Sequence, residues 1–158
     1  MKTILAPVDF SGATETVLAT AGTLAKALNG RVVLMHVVRP PAMINEYAPE
    51  IERLTELAEK TAVEQMDHWR ADLRGRGVET EVVHAVGSPV AKILDEANEL
   101  SADLIVMGSH GHGALYGLLV GSTAGGILKK ATCPVMIVPP ADRPHAAVPA
   151  EAVTSHAR

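Results

Sequence analysis

The chain has 158 residues, 47% apolar and 20% charged, a balance that suits one globular domain with a real core. Its formal net charge of −4 offers no clustered basic surface for nucleic-acid phosphates, and its single cysteine, Cys133, excludes an internal disulfide and a cysteine-based zinc cluster. No apolar run is long enough to span a membrane, and no signal peptide is legible ahead of the first strand-like run, so a cytoplasmic chain without membrane or nucleic-acid partners is expected.

Thr3 to Val8 (TILAPV) reads as the first strand and ends at Asp9-Phe10-Ser11-Gly12. Ala13 to Leu28 follows with Val17, Leu18, Ala21, Leu24, Ala25 and Leu28 at helical spacing, and Asn29-Gly30 closes it. Arg31 to Val38 (RVVLMHVV) is continuous and β-branched, which predicts a strand buried on both faces. Arg39 to Pro49 carries three prolines and reads as a loop. A long helix is expected from about Glu50 to Arg74, with an apolar stripe of Leu54, Ala58, Ala62, Met66, Trp69 and Leu73, ended by Gly75 and Gly77.

Val78 to Val86 reads as a third strand. Ser88-Pro89 opens a helix, with Ser88 as N-cap and Pro89 at the first helical position, and the helix carries Val90, Ile93, Leu94 and Ala97. Asp103 to Met107 is a fourth strand, Ser122 to Lys130 a helix, and Val135 to Val138 a fifth strand between Pro134 and Pro139. Residues 141–158 are rich in Ala, Pro and His with little apolar periodicity and read as a mobile tail. Strands alternating with helices imply a parallel sheet with helices on both faces. No internal repeat and no second domain is legible.

Between the fourth strand and the last helix lies GSHGHGALYGLLVGS, with Gly108 and Gly111 two residues apart and Gly121-Ser122 nine residues further on. Glycines admit close approach of a ligand and left-handed backbone, and a helix N-terminus offers unpaired amides and the positive end of a dipole. The stretch therefore predicts a loop shaped to hold an anion. It lacks the lysine of GxxxxGK[ST], and Tyr116 stands where GxGxxG needs its third glycine. In open α/β sheets ligands bind beyond the carboxyl ends of the strands where the strand order reverses. If the first and fourth strands are neighbours, Pro7-Val8-Asp9 and the glycine loop face one crevice.

With these residues on view, the chain resembles the universal stress protein family. The resemblance spans roughly residues 2 to 139. It rests on Gly108, Gly111, Gly121 and Ser122 in the pattern Gly-x2-Gly-x9-Gly-Ser/Thr, with PVDFS at Pro7 to Ser11, HVV at His36 to Val38 and CPVMIVP at Cys133 to Pro139. It implies a single domain over residues 1–140 with an open five-stranded parallel sheet of order 3-2-1-4-5, Rossmann-like. It further implies ATP, with Mg²⁺, at the switch point between strands one and four, as in the ATP-binding branch; another branch lacks the motif. By position, the resemblance places the Val37 backbone against adenine and Pro7, Val8 and Asp9 beside adenosine, with Asp9 near the ribose or a metal. It places Met107 and Gly108 at the ribose and α-phosphate, and Gly111, Gly121, Ser122 and Thr123 on phosphates. His110, beside them, stands where many members carry a different, often basic, residue.

Plainer roles stand beside these. Asp9 also suits a turn or helix cap, and Ser122 suits the N-cap of its helix. His110 and His112 lack a nearby third ligand for a metal, His36 and His84 fall within strands as structural residues, Cys133 has no activating neighbour, and Trp69 belongs with the core. From Gly108 to Thr123 there is no Lys or Arg to neutralise charge in phosphoryl transfer. An ATP-binding regulatory protein is thus expected, with a slow ATP hydrolase or a nucleotide-independent dimeric module as the alternatives. The apolar fifth strand, Val135, Met136, Ile137 and Val138, would lie at a sheet edge, and pairing with a second copy would cover it; the resemblance implies the same homodimer.

Overall fold

The computed structural model describes residues 1–39, 48–109 and 120–140. Along the chain come β1 (Thr3–Val8), α1 (Thr14–Ala27), β2 (Arg31–Val38), α2 (Ala48–Gly75), β3 (Glu79–Val86), α3 (Pro89–Glu99), β4 (Leu104–Gly108), α4 (Ser122–Lys130) and β5 (Val135–Val138). All pairings are parallel and the sheet order is β3-β2-β1-β4-β5, the order expected. The chain winds outward from β1 in one direction through β3, then returns to the other side of β1 with β4. That reversal creates the switch point.

The sheet separates two apolar layers by the period-2 alternation of its strands. Ile4, Ala6, Val8, Val32, Leu34 and Val106 meet α1 and the second half of α2. Leu5, Val33, Met35, Ile105 and Met107 meet α3 and α4. Burial on both faces explains the uninterrupted apolar run of Val32 to Met35, all within 1% of complete burial.

The helices end as their sequences direct. Asn29 takes φ +49°, with Gly30 N–H donating to the Ala25 carbonyl at 2.8 Å and Asn29 N–H to Lys26 at 3.3 Å, a Schellman closure of α1. A Cβ on Gly30 would lie 2.5 Å from the Lys2 carbonyl oxygen, so glycine is what lets β2 start against β1. Ser88 caps α3 with extended backbone and Pro89 follows, although the Ser88 side chain makes no capping bond. At the amino ends of the strands Asp103 clamps β1 to β4. It accepts from Lys2 Nζ at 2.6 Å and from Thr3 N–H at 2.8 Å, which holds its carboxyl below the usual range.

Two expectations need correction. α2 begins at Ala48, ahead of Glu50, because Pro49 in a first helical turn forfeits no hydrogen bond. Its apolar stripe is buried only from Ala62 onward: Met66 and Leu73 are buried and Trp69 packs against them, while Leu54 is 64% exposed and Ala58 is exposed. The reason is length. A helix of 28 residues is ~42 Å long, whereas a strand of 8 spans about 27 Å. The helix overhangs the sheet. The expected tail, 141–158, lies outside the described residues.

Leu34 is fully buried near the middle of β2. Leu34→Ala should therefore lower the unfolding free energy by about 2–5 kcal/mol, read as a shift of the urea midpoint at unchanged slope.

Candidate functional site

The carboxyl ends of the strands form one row. Register places His84 beside His36 and His36 beside Val8, and on the other side Gly108 beside Val138. β1 and β4 pair at Ile4 with Leu104 and Leu5 with Ile105; carried forward, that register sets Pro7 level with Met107 and Val8 with Gly108. Both segments singled out in the sequence thus leave the sheet at one crevice. Val37 and Met107 belong to the layer that faces α3 and α4, the layer from which α4 also starts.

Ser109 is the hinge between strand and loop. It is 3% exposed, its N–H donates to the Val138 carbonyl at 2.9 Å, and its own carbonyl accepts from Gly121 N–H at 2.7 Å. This last bond brings the two ends of the glycine segment together, so Gly108 and the start of α4 are neighbours in space. His110 and Gly111 lie outside the described residues.

Gly121, not Ser122, is the N-cap of α4: it has extended backbone (φ −68°, ψ 164°) and its carbonyl accepts from Gly125 N–H at 2.8 Å. Ser122, exposed, is the first helical residue, and Thr123, half-buried, is the second. The first-turn amides of Ser122, Thr123 and Ala124 have no helical acceptor. A glycine cap has no side chain to offer them, and no acidic residue occupies the turn, while Lys129 and Lys130 sit at the far end with the favourable sign for the dipole. The helix start presents donors and positive potential, the two things an anion requires.

Left-handed backbone among the described residues falls at Phe10, Asn29, Ser101, Gly77 and Gly87, and not at Gly108 or Gly121. Neither of these two glycines is therefore required by its dihedrals, which corrects half of the reason expected for them.

Asp9 stands exposed at the end of β1, its Oδ1 accepting from Ser11 N–H at 3.1 Å. It makes an Asx turn; the N-cap of α1 is Ala13. Phe10 and Ser109 were not singled out as site residues. A Phe with φ +62° carries no signature in sequence, and the Ser109 bonds to Val138 and Gly121 are made by backbone atoms, which side-chain pattern does not record. Among the described residues no group of three His, Cys, Asp or Glu side chains could hold a metal, and no helix is long and apolar enough to cross a membrane. Burial pushes the Cys133 thiol up, the direction opposite to that of an activated cysteine.

Fold and crevice together define a doubly wound α/β domain with a glycine-capped helix start at its switch point. The universal stress protein family model matches residues 1–139, and the chain belongs to that family. A universal stress protein of Thermus aquaticus is 34% identical over 140 residues, covering 87% of this chain and 98% of its own length. The solved structure of UspA from Lactobacillus plantarum superposes with a TM-score of 0.79 at 24% identity, over 87% of this chain and 97% of that one. The universal stress protein of Archaeoglobus fulgidus in complex with dAMP has a TM-score of 0.63 at 25% identity, over 87% and 98%.

Beside the crevice, burial pulls the His84 imidazole below its ordinary 6.5, the neighbouring His36 adds to the fall, and Asp67 opposes it. The unfolded chain then binds more protons between the two values, so His84 contributes stability that is lost as pH falls from about 6.5 through its folded value. An NMR titration should place the His84 midpoint below 6.5, and His36→Phe should move it upward.

Proposed function

We propose that this chain is a nucleotide-responsive regulatory protein that binds ATP, with Mg²⁺, in the crevice between β1 and β4. The observation that carries the reading is the Gly121 to Ser109 hydrogen bond, which sets an uncapped helix start beside Gly108 at the switch point. The dAMP complex of the Archaeoglobus fulgidus relative supports an adenine nucleotide as the ligand class.

In this reading the Val37 backbone meets the base, and Pro7, Val8 and Asp9 line the adenosine side. Met107 and Gly108 lie against the ribose and first phosphate. The amides and hydroxyls of Ser122 and Thr123, with Gly121, Gly111 and His110, receive the remaining phosphates. The chemistry of the donor set fits: unpaired amides and hydroxyls take phosphate oxygens, and the Asp9 carboxylate takes a ribose hydroxyl or the metal ion. The absence of Lys and Arg from Gly108 to Thr123 favours binding over rapid phosphoryl transfer. Binding biases the molecule only as far as the nucleotide prefers one loop arrangement over another.

The reading includes a homodimer through β5. Ile105 N–H donates to Pro134 and Ser109 N–H to Val138, so the outward-pointing amides and carbonyls of β5 are those of Val135 and Ile137. Met136, 38% exposed, adds apolar surface at that edge.

Two outcomes test these assignments. Calorimetry should find saturable ATP binding near one per chain, abolished in Gly121→Val with unfolding temperature little changed; a folded Gly121→Val that retains affinity refutes the site. Ile137→Pro removes an outward amide without touching the β4 ladder, and should convert the dimer to monomer in sedimentation equilibrium.

A further inference from the structure

At the exit of β1 the backbone takes a course that its side chain resists. Phe10 has φ +62°, a conformation uncommon for a bulky residue and one that persists only where its surroundings impose it. In the same turn the hydroxyls of Ser11 and Thr14 are buried without a hydrogen-bond partner. Strain and orphaned polar groups in one short segment run against stability, which is the pattern of a segment held for its geometry.

His36 does the holding. Its Nδ1 lies 2.9 Å from the Val8 carbonyl oxygen. A carbonyl only accepts, so Nδ1 carries the proton, in the neutral ring and the imidazolium alike. The His36 ring also packs on Phe10 with centroids 4.3 Å apart, and Phe10 in turn meets Trp69 of α2 at 5.4 Å. One imidazole thus grips both the last residue of β1 and the strained residue that follows Asp9. By strand alternation His36 shares the α1/α2 face with Val32 and Leu34, whereas Val37 and Met107 face α3 and α4. It stands behind the crevice and acts on it through the Val8 carbonyl and Phe10.

We propose that His36 is a positioning residue of the nucleotide site, fixing the Val8–Phe10 exit in the form that receives adenosine. The inference rests on the nucleotide reading above. If the exit is correctly set in only a fraction of molecules, apparent affinity falls by that fraction.

The test uses the full chain with ATP and AMP as probes, comparing wild type, His36→Asn and His36→Phe by calorimetry, with thermal unfolding of each. Asn presents an amide N–H where Nδ1 lies; Phe keeps a ring against Phe10 but has no donor. His36→Phe should bind about tenfold more weakly, the factor represented by one ordinary hydrogen bond, and His36→Asn should stay within about threefold of wild type. A merely structural role would lower unfolding temperatures without that split. Equal affinity in all three proteins overturns the positioning role while leaving the site intact. A wild type that binds neither probe at millimolar concentration overturns the nucleotide reading, and this inference with it. A second measurement needs no variant: ¹⁵N shifts of the His36 ring should report an Nδ1–H tautomer whose proton exchanges more slowly once ATP is added. An Nε2–H tautomer overturns the proposal whatever the variants do.

Discussion

A single backbone hydrogen bond, from Gly121 N–H to the Ser109 carbonyl, turns the carboxyl end of the sheet into a candidate binding crevice. Without it, the end of β4 and the start of α4 would be separate features. With it, a strand end, two glycines and a set of uncapped helix amides converge on one place. The bond depends on Ser109 being pinned from the other side by Val138, and therefore on β5 lying beside β4. The short fifth strand is thus part of the support of the site as well as the edge of the sheet.

The rest of the architecture divides labour between the two faces. On the α3/α4 side the layer ends at Val37 and Met107, with the positive end of the α4 dipole at the same end of the sheet. On the α1/α2 side the layer ends in rings: Phe10, His36 and Trp69 are packed in series where the other rows hold aliphatic side chains. In a chain with one Trp and one Phe, spending both on the back of the β1 exit concentrates stiffness there. The strained turn at Phe10 and the buried Ser11 and Thr14 hydroxyls are what that stiffness holds in place.

Most of this was legible in the residues. The boundaries of β1, β2, α4 and β5 followed from apolar runs punctuated by Asp9, Gly30, Gly121 and Pro134, because turn and cap residues act locally. The sheet order was legible only through family resemblance, since pairing is decided by long-range contacts that no local pattern records. The stripe of α2 misled at Leu54 and Ala58 because periodicity states which side of a helix is apolar, not how far the sheet beneath it reaches. The alternative role of Ser122 as N-cap of α4 falls to Gly121, for a hydroxyl is the stronger cap signal but Gly121 carries the extended backbone. The roles of Ser109 and Phe10 were hidden, one because it is played by backbone atoms and the other because Phe does not advertise a positive φ.

The central claim is that an adenine nucleotide occupies the crevice between β1 and β4. It is tested most directly by recording amide ¹H–¹⁵N spectra of the labelled protein during titration with ATP and Mg²⁺. The account predicts saturable shifts grouped at Val8–Asp9, Val37–Val38, Gly108–Ser109 and Ser122–Ala124, with the amino ends of the strands around Lys2 and Asp103 unmoved. Saturable shifts that map elsewhere, or unchanged spectra at millimolar nucleotide, would contradict it.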